Sequence, residues 1–276
     1  MKIGILTNTY TQPTLGGMLD AIAAQGLQHV QFDLGAAGLA SMPDAAPDEL
    51  THDVRNQMAA RSIELTALSG TFNMAHPSPQ HRAEGLQRLA VLAAVCKRLN
   101  TSVITLCTGT RNVDSMWRHH PNNRTANAWR DMLETMQQAV QIADAYAITL
   151  AFEPEVNNVV DSAQAARKLL DEIGSPRLKV VMDGANIFHA GELPRMHEIL
   201  IEAFELLGDD IALAHAKDLD HDGDAGHLPA GHGLLDYGLY LALLAKSNYT
   251  SPIILHGLRE DQVPSCVAFL QSMDRG

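Results

Sequence analysis

Cysteine is scarce in this chain. Cys96, Cys107 and Cys266 are the only three among 276 residues, and they lie far apart. They are too few and too scattered for a disulfide framework or a Cys-rich zinc site, so each is expected to be a small buried hydrophobe. Surplus positive charge is also lacking: 20 Lys and Arg face 32 Asp and Glu, a net charge of −12. Nucleic acid and anionic membrane are therefore not expected as partners, because binding to either leans on an excess of Lys and Arg. A small anionic substrate stays open, since it needs only a few local cations. No run reaches membrane-spanning length, and MKIGILTNTY enters a strand with no apolar leader before it, so a cytoplasmic location is the default expectation. No GxGxxG follows that strand; LTNTYTQP is not a dinucleotide loop.

What the chain does have is a series of short apolar runs, each followed by a helical pattern. The most informative is Ile148–Glu155, ITLAFEPE, which reads as a strand covered on both faces that ends in two carboxylates. The other strands are expected at Lys2–Thr7, His29–Leu34, Ile63–Leu68, Ser102–Cys107, Leu178–Met182 with Asp183 at its end, Ile211–Ala216 and Pro252–Leu255. Helices are expected at Leu15–Gln25, Pro47–Arg61, Gln80–Leu99, Thr125–Tyr146, Asp161–Ile173, Pro194–Leu207, Leu235–Lys246 and Gln262–Met273. Regular alternation without a linker or a composition shift predicts one α/β domain over residues 1–276. Eight units favour a closed (β/α)8 TIM barrel over an open sheet. The long polar loops all follow strands, which puts them on the C-terminal face, where barrels build their sites.

Four neighbouring strands end in metal-type ligands: Glu153, Asp183, His215 and His256. Taken singly, a strand-end Asp is often a helix cap and a His beside Ala216 a hydrogen-bonded core residue. Four on consecutive staves of one ring point instead to a shared divalent ion. Two carboxylates with two imidazoles suit Mn2+, Co2+, Zn2+ or Fe2+; manganese is the first expectation, and Mg2+ is disfavoured by the imidazoles. Loop residues Asn8, Asn73, His76, Arg111, Trp117, Asn186, His189 and Arg259 are candidates for substrate contact, with Glu155 two positions beyond Glu153. The loop TGTRNVDSMWRHHPNN could serve as a lid. His221, Asp222, Asp224 and His227 read as solvated loop in preference to a second metal site.

On these residues the chain resembles the xylose-isomerase-like TIM barrel superfamily of sugar phosphate isomerases and epimerases. That superfamily includes ketose 3-epimerases, inosose dehydratases and endonuclease-IV-type enzymes. The marks are the glutamate in LAFEPE, the aspartate in VVMDGANIFHAG, the run His215-Ala216-Lys217-Asp218, and PAGHGLLDY with Gly231, Gly233 and Asp236. The resemblance implies a metal-dependent sugar or polyol isomerase or epimerase that abstracts a proton next to a carbonyl, with Glu153 as base. Lys217 would stabilise negative charge, or else be a solvated cation paired with Asp218. Two departures stand out. The strand-eight position that holds glutamate in the epimerases is His256 here, and a histidine common three residues after the strand-six aspartate is replaced by Asn186. Glu153 is then the only carboxylate of the usual pair, unless Glu260 folds back. A lyase acting on a keto-sugar or keto-inositol is the alternative, because elimination does not need two opposed carboxylates. An abasic-site endonuclease is disfavoured by the acidic charge, and a sugar-binding protein without turnover is the remaining reading. Relatives often form homo-oligomers, although no helix here advertises a large apolar outer face.

Overall fold

Parallel pairing carries eight short strands round a closed ring, each followed by a helix on the outside. The structure is a computed structural model and describes residues 1–274. The strands are β1 (Ile3–Leu6), β2 (His29–Phe32), β3 (Glu64–Ser69), β4 (Val103–Cys107), β5 (Thr149–Glu153), β6 (Leu178–Asp183), β7 (Ile211–Asp218) and β8 (Ile253–Leu255). The helices are α1 (Leu15–Ala24), α2 (Asp48–Ala59), α3 (Pro79–Arg98), α4 (Ala126–Tyr146), α5 (Ala163–Ile173), α6 (Met196–Leu207), α7 (Tyr237–Lys246) and α8 (Val263–Met273). Ile3 of β1 lies opposite Ile253 of β8, and that pairing shuts the barrel. The expected (β/α)8 architecture is the one observed.

Helix starts follow local chemistry. Side-chain oxygens of Thr14, Ser78, Thr125, Ser162 and Asp236 accept backbone N–H groups at the starts of α1, α3, α4, α5 and α7. Pro79 follows its cap in the first turn of α3, where its missing N–H costs nothing, and Asp48 and Glu49 occupy the first turn of α2. Three expectations need correction. The helices placed at Asp161 and Leu235 begin at Ala163 and Tyr237, because Ser162 and Asp236 cap them. The stretch from Pro194 opens as a 3-10 turn, Leu193–Arg195, before α6 begins. Strand β7 also runs on to Asp218 and pairs antiparallel with a two-residue strand, Leu228–Pro229. Cys96, Cys107 and Cys266 are buried free thiols, as expected. No helix among the described residues is long and apolar enough to cross a membrane.

The apolar residues divide into two clusters, and the division aims the site. The larger cluster lies between strands and helices and contains Leu150, Phe152, Val180, Met182, Ala214, Ala216, Ile253 and Leu255. The smaller fills the barrel axis with Leu6, Ala67, Ala151, Val181, Leu213 and Ile254. Successive residues of a strand face opposite ways. The residues two places beyond Ala151, Val181, Leu213 and Ile254 are Glu153, Asp183, His215 and His256, so alternation stacks them one layer above the apolar plug. Lys217 is one step further along the same face of β7.

Its neighbour Asp218 faces the other way, so the alternative reading of Lys217 as a solvated cation paired with Asp218 does not hold. Asp218 is 1% exposed and accepts four backbone N–H groups: Leu219 and Leu235 on Oδ1, Gly231 and Gly233 on Oδ2. It pins the long loop after β7 to the barrel. A side chain at 233 would not fit, since a Cβ there would lie 2.4 Å from Asp218 Oδ1.

Candidate metal centre

Donor atoms of Asp183, His215 and His256 lie within 4.8 Å of one another at the C-terminal end of the barrel axis. His215 Nδ1 is 3.8 Å from Asp183 Oδ2 and 3.6 Å from Glu153 Oε2. The His215 and His256 rings are 5.1 Å apart. Asp183 Oδ2, His215 Nδ1 and His256 Nδ1 are all buried and make no hydrogen bond, although the Lys217 ammonium lies 3.4 Å from Asp183 Oδ2. Buried lone pairs left bare are costly and rare. Orphaned ring nitrogens on two histidines whose donor groups gather with a carboxylate are the arrangement a cation would satisfy, and the mixed N/O donor set suits a borderline divalent ion.

The other atoms of these side chains are already engaged. Asp183 Oδ1 accepts the Ala185 N–H at 3.0 Å. Asn186 Nδ2 donates to Glu153 Oε1, while Asn186 Oδ1 accepts from the Gly226 N–H at 2.9 Å, so one amide ties the carboxylate to the loop after β7. His215 Nε2 faces Gln31 Oε1 at 2.8 Å. The Lys217 ammonium is 3.4 Å from Asp183 Oδ2 and only 4% exposed. Its stem passes Gly257, which has φ +69° and where a Cβ would sit 2.9 Å from Lys217 Cδ.

Charge at this point is crowded. Burial lifts the Asp183 carboxyl above its ordinary range even with Lys217 beside it. Burial works the same way on Glu153, but the His215 ring when it carries a proton, and then the Lys217 ammonium, outweigh it and draw that carboxyl well below the usual range. Burial, with Lys217 and His215 adding to it, keeps His256 far below the ordinary histidine value, so its imidazole is neutral and able to act as a ligand. Glu155 is 5% exposed, and burial with the nearby Glu153 charge pushes it up to about 8. It therefore carries a proton at neutral pH while Glu153 is ionised.

That contrast has a measurable consequence. A carboxyl whose folded pKa exceeds its ordinary value of 4.5 adds stability that is fully present below 4.5 and is lost as pH rises through about 8. A tenfold change in proton affinity between the folded and unfolded chain is worth roughly 1.4 kcal/mol. Chemical denaturation of the metal-free protein should show stability falling across this window, and Glu155→Gln should flatten the fall. An unchanged slope in the variant would mean that Glu155 is not the group responsible.

The remaining candidates lie in the loops around the centre. Asn8 is exposed in the 3-10 turn Thr7–Thr9 and lines a cavity of about 670 Å³ with Tyr10, Gln12, Asp33 and Ser41. Asn73 receives the Thr110 N–H at 2.9 Å and donates to Asn112 O at 3.3 Å, joining two loops. His76 is buried, accepts the Ser78 N–H and stacks on His81. Arg111 donates to Ala75 O at 3.1 Å and to Asp131 at 2.7 Å, which anchors the root of the expected lid. Trp117, at the tip of that loop, is 48% exposed. His189 lies 3.6 Å from Asp161, and Arg259 pairs with Asp261 in an exposed turn. Glu260 accepts from Gln12 at 2.7 Å and does not fold back to the centre. The structure thus joins Asn186, Glu155 and Lys217 to the four strand-end residues, while Asn73, Arg111 and Arg259 have protein partners of their own. In the loop after β7, Asp222 accepts the Leu193 N–H and Asp224 the Asn157 amide; His221 and His227 gather on the exposed Asp220 instead. Sequence reasoning missed Gln31, whose only signal is a lone amide in the apolar strand HVQF.

A family model described as a xylose isomerase-like TIM barrel matches residues 19–273. No curated protein matches the chain by sequence. Among solved structures, a D-tagatose 3-epimerase-like protein is 15% identical, with a TM-score of 0.79 over 100% of this chain and 97% of its own. A probable 3-DHS dehydratase from Bacillus anthracis is 14% identical, with a TM-score of 0.73 over 98% of this chain and 99% of its own. The IOLI protein, solved with a zinc atom, is 15% identical, with a TM-score of 0.73 over 98% of this chain and 96% of its own. Identities this low establish a shared fold; the chemistry has to be argued from the site.

Proposed function

The chain belongs to the xylose isomerase-like TIM barrel family, and on that premise we propose that it is a divalent-metal-dependent sugar or polyol isomerase or epimerase. The observation that carries this reading is the gathering of donor atoms of Asp183, His215 and His256 within 4.8 Å of one another, beside the Glu153 carboxylate. Glu153, Asp183, His215 and His256 would hold the ion. When bound, it would polarise substrate oxygens and offset the charge of an enediolate. Glu153 is ionised, held by Asn186, and suited to take the proton next to the carbonyl. Lys217 supplies fixed positive charge beside the developing oxyanion.

A single base can return its proton to the neighbouring carbon on the same face while the hydroxyl proton passes to the carbonyl oxygen, which is isomerisation. Inverting one carbon needs a donor on the opposite face. His256 stands where a carboxylate would be wanted for that, so isomerisation is the simpler product of this centre. Elimination is the second reading, favoured by Glu155: a protonated carboxyl beside an ionised one offers an acid for a departing hydroxyl. The zinc-bound neighbour and the sugar-processing neighbours support a divalent ion and a sugar-like substrate.

Incubation of the metal-loaded protein with ketoses and keto-sugars in deuterated water tests the proposal. Solvent deuterium on the former carbonyl carbon or its neighbour, with no oxygen lost from the sugar, is the expected result, and loss of water would select the lyase. Metal analysis is the stricter check. A protein that takes up no divalent ion under any condition would sink both readings.

A further inference from the structure

We propose that Gln31 is a positioning residue: it fixes the proton of His215 on Nε2 and so leaves Nδ1 as the donor atom of the centre. The inference rests on the metal reading above. Gln31 lies on β2 and His215 on β7, 184 positions apart, and both are buried. The Gln31 amide is oriented from its nitrogen side. Nε2 donates to Ser69 Oγ and to Thr105 Oγ1, each at 3.1 Å. Thr105 in turn gives its own proton to Leu68 O at 3.4 Å, so its lone pair faces Gln31. With the NH2 end turned to β3 and β4, the carbonyl Oε1 is left pointing across the barrel at His215 Nε2, 2.8 Å away. A carbonyl can only accept, so Nε2 must carry the hydrogen.

A neutral imidazole has one N–H to place. The alternative position, Nδ1, faces Glu153 Oε2 at 3.6 Å and Asp183 Oδ2 at 3.8 Å, and two carboxylates would attract a proton there. A proton on Nδ1 would block the nitrogen that the ion needs. Gln31 supplies the competing acceptor on the far side of the ring and draws the hydrogen away from the carboxylates. The polar layer Ser69–Gln31–Thr105 thus reaches the centre through His215 alone, with no residue of β2, β3 or β4 among the four proposed ligands.

The test compares Gln31→Met, which keeps length and burial but cannot accept, with Gln31→Glu, which can. Zinc affinity is measured by chelator competition, and the proton position on His215 by nitrogen-15 NMR of the metal-free protein, with the signal assigned by loss in His215→Ala. Gln31→Met should bind zinc about 10- to 100-fold more weakly, the usual range for losing a partner behind a ligand. Its His215 hydrogen should move to Nδ1, while the unfolding transition remains cooperative. Gln31→Glu should restore both the Nε2–H form and the affinity. Wild-type-like affinity in Gln31→Met, or an Nε2–H form that persists without the carbonyl, would overturn the proposal. If the unaltered protein binds no zinc, the metal reading fails, and the proton position still decides what Gln31 does to His215.

Discussion

A Glu153→Gln variant is expected to lose turnover by about a thousandfold while still folding, since a positioned acid–base group contributes roughly 10²- to 10⁴-fold. The fold should survive because a glutamine can keep the bond from Asn186 Nδ2 through its carbonyl oxygen. Its NH2 group then lies where Oε2 was, 3.6 Å from the bare His215 Nδ1. There it would tend to donate to that nitrogen and weaken the metal site without removing Asp183 or His256. Turnover therefore has to be read at saturating metal, with affinity measured separately by competition against a chelator. Loss of turnover that excess metal does not restore identifies Glu153 as the base. Loss that excess metal fully restores makes it a ligand only. Near-normal turnover at ordinary metal concentration moves the base to Glu155, whose pKa falls once the Glu153 charge that helps raise it is gone, because Glu260 is committed to Gln12 outside the centre.

The same residues show why part of the site could be read from sequence. Glu153, Asp183, His215 and His256 end apolar strands, and a strand's alternation points a residue two places beyond a plug residue into the barrel. Strand phase therefore encodes the ring of donors, and repeated strand–helix spacing encodes the barrel. Lys217 and Asp218 illustrate the limit of proximity in sequence. They are adjacent, yet alternation turns one to Asp183 and the other to the loop amides. Loop residues carry no such phase. Arg111, Asn73 and His76 stand on the correct face, but position alone could not show that Arg111 and Asn73 hold loops together or that His76 packs against His81. Gln31 was hidden for a different reason: its partners lie on three other strands, and only closure of the barrel brings β2 across from β7.

Replacing Lys217 by methionine should destabilise the metal-free protein by about 3–5 kcal/mol, the usual result of removing one partner from a buried ion pair. Methionine fits the channel past Gly257, so volume is nearly conserved and the effect isolates charge. Burial disfavours the ammonium, but Asp183, Glu153 and Glu155 together outweigh that cost and raise its pKa above the ordinary lysine value. A raised lysine pKa contributes stability that is fully present below 10.5 and is lost only as pH rises through the folded value, so the whole contribution acts at neutral pH. Without it, Asp183 and Glu153 face each other across His215 with no fixed cation between them. A divalent ion would replace the missing charge, and it would no longer compete with an ammonium 3.4 Å from Asp183 Oδ2. Metal should therefore bind the variant more tightly than the wild type and stabilise it more, as linkage requires. Turnover should nevertheless stay low even when the variant is fully loaded, because the charge beside the oxyanion is gone; single stabilising groups of this kind are worth about 10²- to 10³-fold. Denaturation curves in chelator and in excess metal, read with kcat, separate the two roles of the lysine. Full activity in a metal-rescued Lys217→Met would leave the side chain a purely electrostatic support of the metal-free centre, whereas rescued stability with lost turnover places it in the reaction.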